Sequence, residues 1–89
     1  MISVVLDGEA VKSRAEALEA FASCFPDWYG RNLDALWDCL TEYGEPLEIR
    51  LVHLQELEAS LGPFWRGLRR VLGEAPAENP LVSIITEDG

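Results

Sequence analysis

Cations are scarce in this 89-residue chain: seven Lys and Arg stand against sixteen Asp and Glu, a net charge of −9 at pH 7. Such a surface repels phosphate, which argues against direct contact with nucleic acid and makes a basic protein the better partner. Acidity kept for solubility alone is the plainer alternative. Cysteine is sparse as well. Cys24 and Cys39 are too few for a disulfide framework, there is no CxxC, and no cluster has metal-ligand spacing. Both cysteines are expected in helical, apolar surroundings as small hydrophobes. His53 is the only histidine, and its place between Val52 and Leu54 favours a structural or surface role over proton transfer. No run approaches the roughly 20 apolar residues of a membrane span. The first residues lack a basic segment ahead of a long apolar one, so they read as a strand and not a signal peptide. Internal repeats, linkers and low-complexity tracts are missing too. These absences predict one domain, residues 1–89, at a cytoplasmic address, with no membrane, metal or cofactor.

What the chain does contain is enough apolar material for a core. Hydrophobic residues make up 48% of it, three of them Trp, and the mean hydropathy is near zero. A chain this small still buries somewhat over roughly 60% of the surface that its unfolded form exposes. Residues 2–6 form an apolar run closed by Asp7-Gly8, a buried strand ending in a turn. Ser13-Arg14-Ala15-Glu16 has capping-box spacing. Leu18, Phe21, Ala22 and Phe25 then recur at helical spacing up to Pro26, predicting a first helix over 15–25. Asn32 can cap a second helix with the stripe Leu33, Leu36, Trp37 and Leu40, stopped by Gly44. Leu47, Ile49 and Leu51 alternate with Glu48 and Arg50 as a strand. Leu54, Leu57 and Leu61 mark a short helix closed by Gly62-Pro63. Trp65, Leu68, Leu72 and Ala75 mark a longer one that Pro76 should end early. Residues 81–86 make a last buried strand. The order β-α-α-β-α-α-β predicts an α/β fold, a small three-stranded parallel sheet with about four helices packed on it.

The most informative stretch is Trp28-Tyr29-Gly30-Arg31-Asn32-Leu33-Asp34-Ala35-Leu36-Trp37-Asp38-Cys39-Leu40-Thr41. Residues 27–48 hold six acids and one base, Arg31. At about 100° per residue, Asp34, Asp38 and Thr41 share one side of the second helix, opposite Leu33, Leu36 and Leu40, with Trp37 at the border. Two aspartates four residues apart cost a few tenths of a kcal/mol in an isolated helix. Only Asp34 recovers some of that from the helix N-terminus. A solvated acidic face would explain the aspartates alone. The loop before them favours an interface: Trp28 and Tyr29 beside unpaired acids resemble hot-spot composition, and Gly30 admits close approach of a backbone. One of the two aromatics is expected to pack into the core.

These fourteen positions resemble the central motif of the barstar family of bacterial ribonuclease inhibitors. The likeness extends over essentially the whole chain, through Asp7-Gly8-Glu9, the Glu-Pro-Leu before the second strand, and a closing Val-x-x-Glu-Ala-x-Ala-Glu. It implies that the second helix and the preceding loop plug the cationic cleft of a small secreted guanyl ribonuclease in a 1:1 complex. The inhibitor would be a monomer when free. By likeness, Asp38 stands where the substrate phosphate sits and pairs with cleft arginines. Asp34 meets basic residues nearby, Thr41 adds a hydrogen bond at the rim, and Trp28 packs on the catalytic histidine. Glu74 pairs with a guanine-site arginine, with Tyr43 and Val71 at the edge. Gly30, Asn32 and Trp37 belong to the same predicted contact. Several positions depart from the family. Pro76 should take Glu78 out of play, the loop before Pro46 is one residue shorter, Pro80 stands at the family's later cysteine, and Cys24 is additional. The Glu45–Pro46 bond, cis in the type member, stays open here.

Two other readings remain at this level. One is a barstar-like interaction module whose partner is another nuclease toxin or a regulatory protein. The other is an enzyme, for which the residues give little: neither cysteine has a recognisable base, and two carboxylates one helical turn apart on a convex domain do not frame a pocket.

Overall fold

The computed structural model describes residues 2–26 and 29–87. Its elements are β1 (Ile2–Asp7), α1 (Arg14–Glu19), α2 (Leu33–Thr41), β2 (Leu47–Val52), α3 (Leu54–Leu61), α4 (Pro63–Glu78) and β3 (Val82–Glu87). The strands form one parallel sheet in the order β1-β2-β3, as the alternation of strands and helices predicts. Leu47 lies opposite Ile2 and Val82, and Val52 opposite Asp7 and Glu87. No cis peptide bond occurs among the described residues, so Glu45–Pro46 is trans.

Burial alternates along the strands and fixes where the core sits. Val4, Leu6, Leu47, Ile49, Leu51 and Val82 point into it. They meet Ala17, Leu18 and Phe21 from α1 and the turn after it, Leu36 and Leu40 from α2, Leu57 from α3, and Leu68, Leu72 and Ala75 from α4. The other face of the sheet is partly open. There Arg50 bonds Glu48 and Glu87 at 2.9 and 2.8 Å, with Val5 52% exposed beside it. This corrects the expectation that residues 2–6 and 81–86 are buried strands. Parallel sheets are ordinarily covered on both faces, and an apolar run cannot by itself say that only one face will be.

The helices differ from expectation in two places, each with a local cause. α1 ends at Glu19, not at 25, because the chain tightens. Phe21 N–H bonds the carbonyl of Leu18, Ala22 that of Glu19, and Cys24 that of Phe21, all three residues back. The tightened turns still bury Phe21 and Phe25, whose rings stack at 5.9 Å. They leave Cys24 half-buried in a turn and not in a helix. The second correction is Pro76, which does not end α4: the helix runs on to Glu78. Proline removes one amide donor and strains its own turn, but tertiary contacts hold that turn. Leu72 and Ala75 are buried, and Asn79 N–H closes on the Ala75 carbonyl at 2.9 Å.

The caps are as local chemistry dictates. Ser13 Oγ accepts from Glu16 N–H, while Glu16 reaches back to the Lys12 amide, one residue upstream of a standard box. Gly62, at φ +58°, ends α3 and opens α4 with Pro63 in its first turn, a bend that a residue with a side chain would strain.

Candidate binding face on α2 and α4

The loop before α2 is anchored by Tyr29. Tyr29 is 3% exposed, its hydroxyl donates to the Leu18 carbonyl at 3.0 Å, and its ring meets Phe25 edge-on at 5.1 Å. Burial pushes its phenol far above the ordinary range. Tyr29 thus packs into the core; Trp28 lies outside the described residues. Gly30 and Asn32 are exposed. Arg31 adopts a left-handed conformation, φ 52°, and its Nε reaches Glu19 at 2.6 Å. Bonding to Glu19 raises the guanidinium pKa further. The one base of this acidic stretch is thereby turned back toward α1.

Asn32 opens α2 as the sequence predicts: its side-chain oxygen accepts from Ala35 N–H at 2.8 Å, with its backbone extended. Leu36, Cys39 and Leu40 are buried, Leu33 and Trp37 partly so, and Asp34 and Asp38 are exposed. Among the described residues neither aspartate has a cation within ion-pair distance. The Thr41 hydroxyl donates to the Trp37 carbonyl at 2.8 Å, so its proton is used within the helix and its oxygen remains free to accept. Cys39 has its pKa raised by burial and then by the charge of Asp38, and Cys24 by burial. Both are held as thiols, not as reactive thiolates.

Residues far along the chain join this face because α4 packs against α2. At one end a Cβ on Gly67 would stand 2.8 Å from Leu33 Cδ1, so the missing side chain allows the close approach. At the other end Asn79, 6% exposed, donates to the carbonyls of Leu40 and Tyr43, both at 2.9 Å, and accepts from Leu81 N–H. The two helices therefore run side by side in the same direction. Val71 is partly buried and Glu74 exposed on α4, where Glu74 makes a 3.4 Å pair with Arg70. Tyr43 is partly buried, its ring edge-on to Phe25 at 5.9 Å. Asn79 is the residue that sequence reasoning missed; an asparagine just before a proline reads only as a turn signal.

His53 stands elsewhere. Its Nδ1 lies 2.8 Å from Asp7 and its Nε2 2.9 Å from Glu9. Three possible metal ligands thus come within 4.8 Å of one another, against the expectation that no such cluster exists. Their separation in sequence hid them. Among the described residues no helix is long and apolar enough to cross a membrane.

Comparison with known proteins agrees with this geometry. The family model described as barstar, the barnase inhibitor, matches residues 1–84. A Bacillus subtilis (strain 168) protein named "Putative ribonuclease inhibitor YrdF" is 46% identical over 55 residues. That match takes in 61% of this chain and spans 60% of that relative's length. With the family model covering nearly every residue, from β1 into β3, the chain belongs to the barstar family.

Proposed function

We propose that this protein is a non-catalytic inhibitor of a basic, secreted, guanyl-specific ribonuclease of the barnase type. It would hold the enzyme in the cytoplasm of its host as a 1:1 complex. The observation that carries the reading is the pair Asp34 and Asp38, exposed and without an ion-pair partner among the described residues, on a capped helix whose other side is locked into the core. A ribonuclease cleft is cationic because it holds a phosphodiester. A carboxylate on a rigid helix imitates that phosphate and offers no bond to cleave. In this reading Asp38 takes the phosphate position, Asp34 and Glu74 meet neighbouring basic groups, and Thr41 accepts a hydrogen bond at the rim. Gly30, Asn32 and Trp37 shape the approach, with Tyr43 and Val71 at the edge and Trp28 on the enzyme's catalytic histidine. The name of the Bacillus relative points the same way.

Titrating barnase, and the host's own secreted ribonuclease, with the wild-type chain and with Asp38→Ala tests this. Truncating one partner of a buried charge pair costs about 2–5 kcal/mol, a range that barnase and barstar themselves helped to set. The variant should therefore need at least about thirtyfold more protein for half inhibition. Because Asp38 repels Asp34 in the free helix, Asp38→Ala should leave stability unchanged or raise it by a few tenths of a kcal/mol. Undiminished inhibition by a folded Asp38→Ala protein would remove the phosphate-mimic role.

A further inference from the structure

The outer face of α4 is the opposite of α2 in charge. Three of the chain's seven cations, Arg66, Arg69 and Arg70, lie on it at positions i, i+3 and i+4, all exposed. Of the other four, Arg31 and Arg50 are tied to carboxylates and Lys12 to the Gly8 carbonyl, while Arg14 stands singly on α1 with no carboxylate within 4.0 Å among the described residues. On α4 the pairing is poor. Among the described residues Arg66 and Arg69 have no carboxylate within 4.0 Å. Arg70 has only Glu74 at 3.4 Å, with side chains 81% and 62% exposed. Like charges at these spacings repel along a helix, and Arg66 also stands near its positive end. Among the described residues the only ion pair that offsets this repulsion is the exposed Arg70–Glu74 one.

Between these arginines the helix surface is low, because two of its residues are glycines. Together with Pro63, Gly67, Gly73 and Glu74 the arginines line a shallow depression of about 610 Å³. Gly67 is small because Leu33 lies against it, but a Cβ on Gly73 would meet nothing within 4 Å. Core packing therefore does not account for the low floor at Gly73. The depression also adjoins the proposed contact: Glu74 lines it, and α4 runs alongside α2 in the same direction. A partner laid across both helices meets a negative row, Asp34 and Asp38, and beside it the row Arg66, Arg70, Glu74.

We propose that this arginine-walled face of α4 receives carboxylate side chains on the rim of the ribonuclease that α2 engages, and so selects among basic enzymes. The inference rests on the inhibitor reading above. A ribonuclease that is cationic throughout would be repelled by Arg66 and Arg70 while α2 attracted it. One with acids at the matching rim would be held by both rows and fixed in orientation.

The sign of a charge reversal tests it. Arg66→Glu/Arg70→Glu makes the inhibitor more acidic, so attraction to a basic enzyme alone predicts faster and tighter binding. Rim carboxylates predict the reverse: affinity for the host's secreted ribonuclease about tenfold weaker or worse, with no gain in association rate. Arg66→Gln/Arg70→Gln should fall between, and thermal melts confirm that both variants fold. Unchanged or tighter binding by the reversal variant overturns the proposal. So does fluorescence-detected binding of a 12-nucleotide RNA by the wild type that the reversal abolishes, since the arginines would then serve phosphate. Asp38→Ala in the same titration separates the two ideas. If it weakens binding and the reversal does not, only the α4 inference fails; if it does not weaken binding, the inhibitor reading fails with it.

Discussion

His53 shows how a single side chain sets a condition on the whole turn around it. A neutral imidazole can donate from one nitrogen only, and the other would then aim a lone pair at a carboxylate less than 3 Å away. With Asp7 on Nδ1 and Glu9 on Nε2, the ring is satisfied only as imidazolium. Its pKa is raised chiefly by the bond to Asp7; burial opposes this next, and the charges of Glu9, Asp7 and Glu56 then add to the rise. The Asp7 carboxyl is lowered, chiefly by the Glu9 amide that donates to it and then by His53, with Lys12 adding slightly. The clamp also closes over Gly8, where a Cβ would stand 2.2 Å from the His53 carbonyl. The sign of the pH effect follows from linkage. A histidine raised in the folded state contributes stability that is full below its unfolded pKa of about 6.5 and fades as pH climbs through the folded value. The Asp7 share is present above its unfolded pKa and fades on acidification. Urea unfolding of the wild type against His53→Gln should therefore show an advantage at pH 5.5 that shrinks by pH 8.5; a constant gap would exclude the clamp. At this scale legibility depended on distance along the chain. The caps at Ser13 and Asn32 join residues three apart and could be read directly, whereas His53 and Asp7 are 46 apart.

Between elements, Asn79 is the tie that keeps α2 and α4 in one layer at their shared end. Its amide serves two carbonyls at the end of α2, that of Leu40 in the last turn and that of Tyr43 just after it; its oxygen serves the Leu81 amide, and its backbone closes α4. Removing the amide leaves the Leu40 and Tyr43 carbonyls without this donor, and an unsatisfied buried group costs about 1–3 kcal/mol. Asn79→Ala should thus lower unfolding stability by about 2–4 kcal/mol, read from chemical denaturation, and weaken ribonuclease binding less than it weakens the fold. A loss under about 0.5 kcal/mol would mean that water replaces the side chain at no penalty. Element order, strand pairing sense and the α2 stripe were all readable, because periodicity and Gly/Pro punctuation are local. The one-sided sheet, the early end of α1 and the survival of α4 past Pro76 were not. Each is decided by what packs alongside: the choice of sheet face, the aromatic cluster of Phe21, Phe25 and Tyr29, and the Asn79 bonds. The same held for the candidate face. Its α2 half follows from helical spacing, while Val71 and Glu74 came only through family likeness, and their place beside α2 depends on the α2–α4 contact.

For the whole molecule the controlling quantity is a net charge of −9, most of it concentrated in residues 27–48. Arg31, the one base there, is bound back to Glu19, so the field in front of α2 is negative and is not locally cancelled. A basic enzyme of the kind proposed would be drawn toward that side, and the proposed role of the α4 arginines would make the attraction directional. Steering of this kind acts at long range through water and is screened by salt. The screening length is about 10 Å at 0.1 M and about 3 Å at 1 M. The short contacts of the docked state lie within that length and are screened far less. Salt should therefore act on encounter and hardly on residence. In stopped-flow mixing with the host's secreted ribonuclease, the association rate should fall at least about tenfold between 0.05 and 1 M NaCl, while the dissociation rate changes by no more than about threefold. Asp34→Asn/Asp38→Asn should flatten the salt dependence of association, because it removes the carboxylates that the proposed contact sets nearest the enzyme. An association rate indifferent to salt would show that the acidity of this chain serves its own solubility and not capture of a partner.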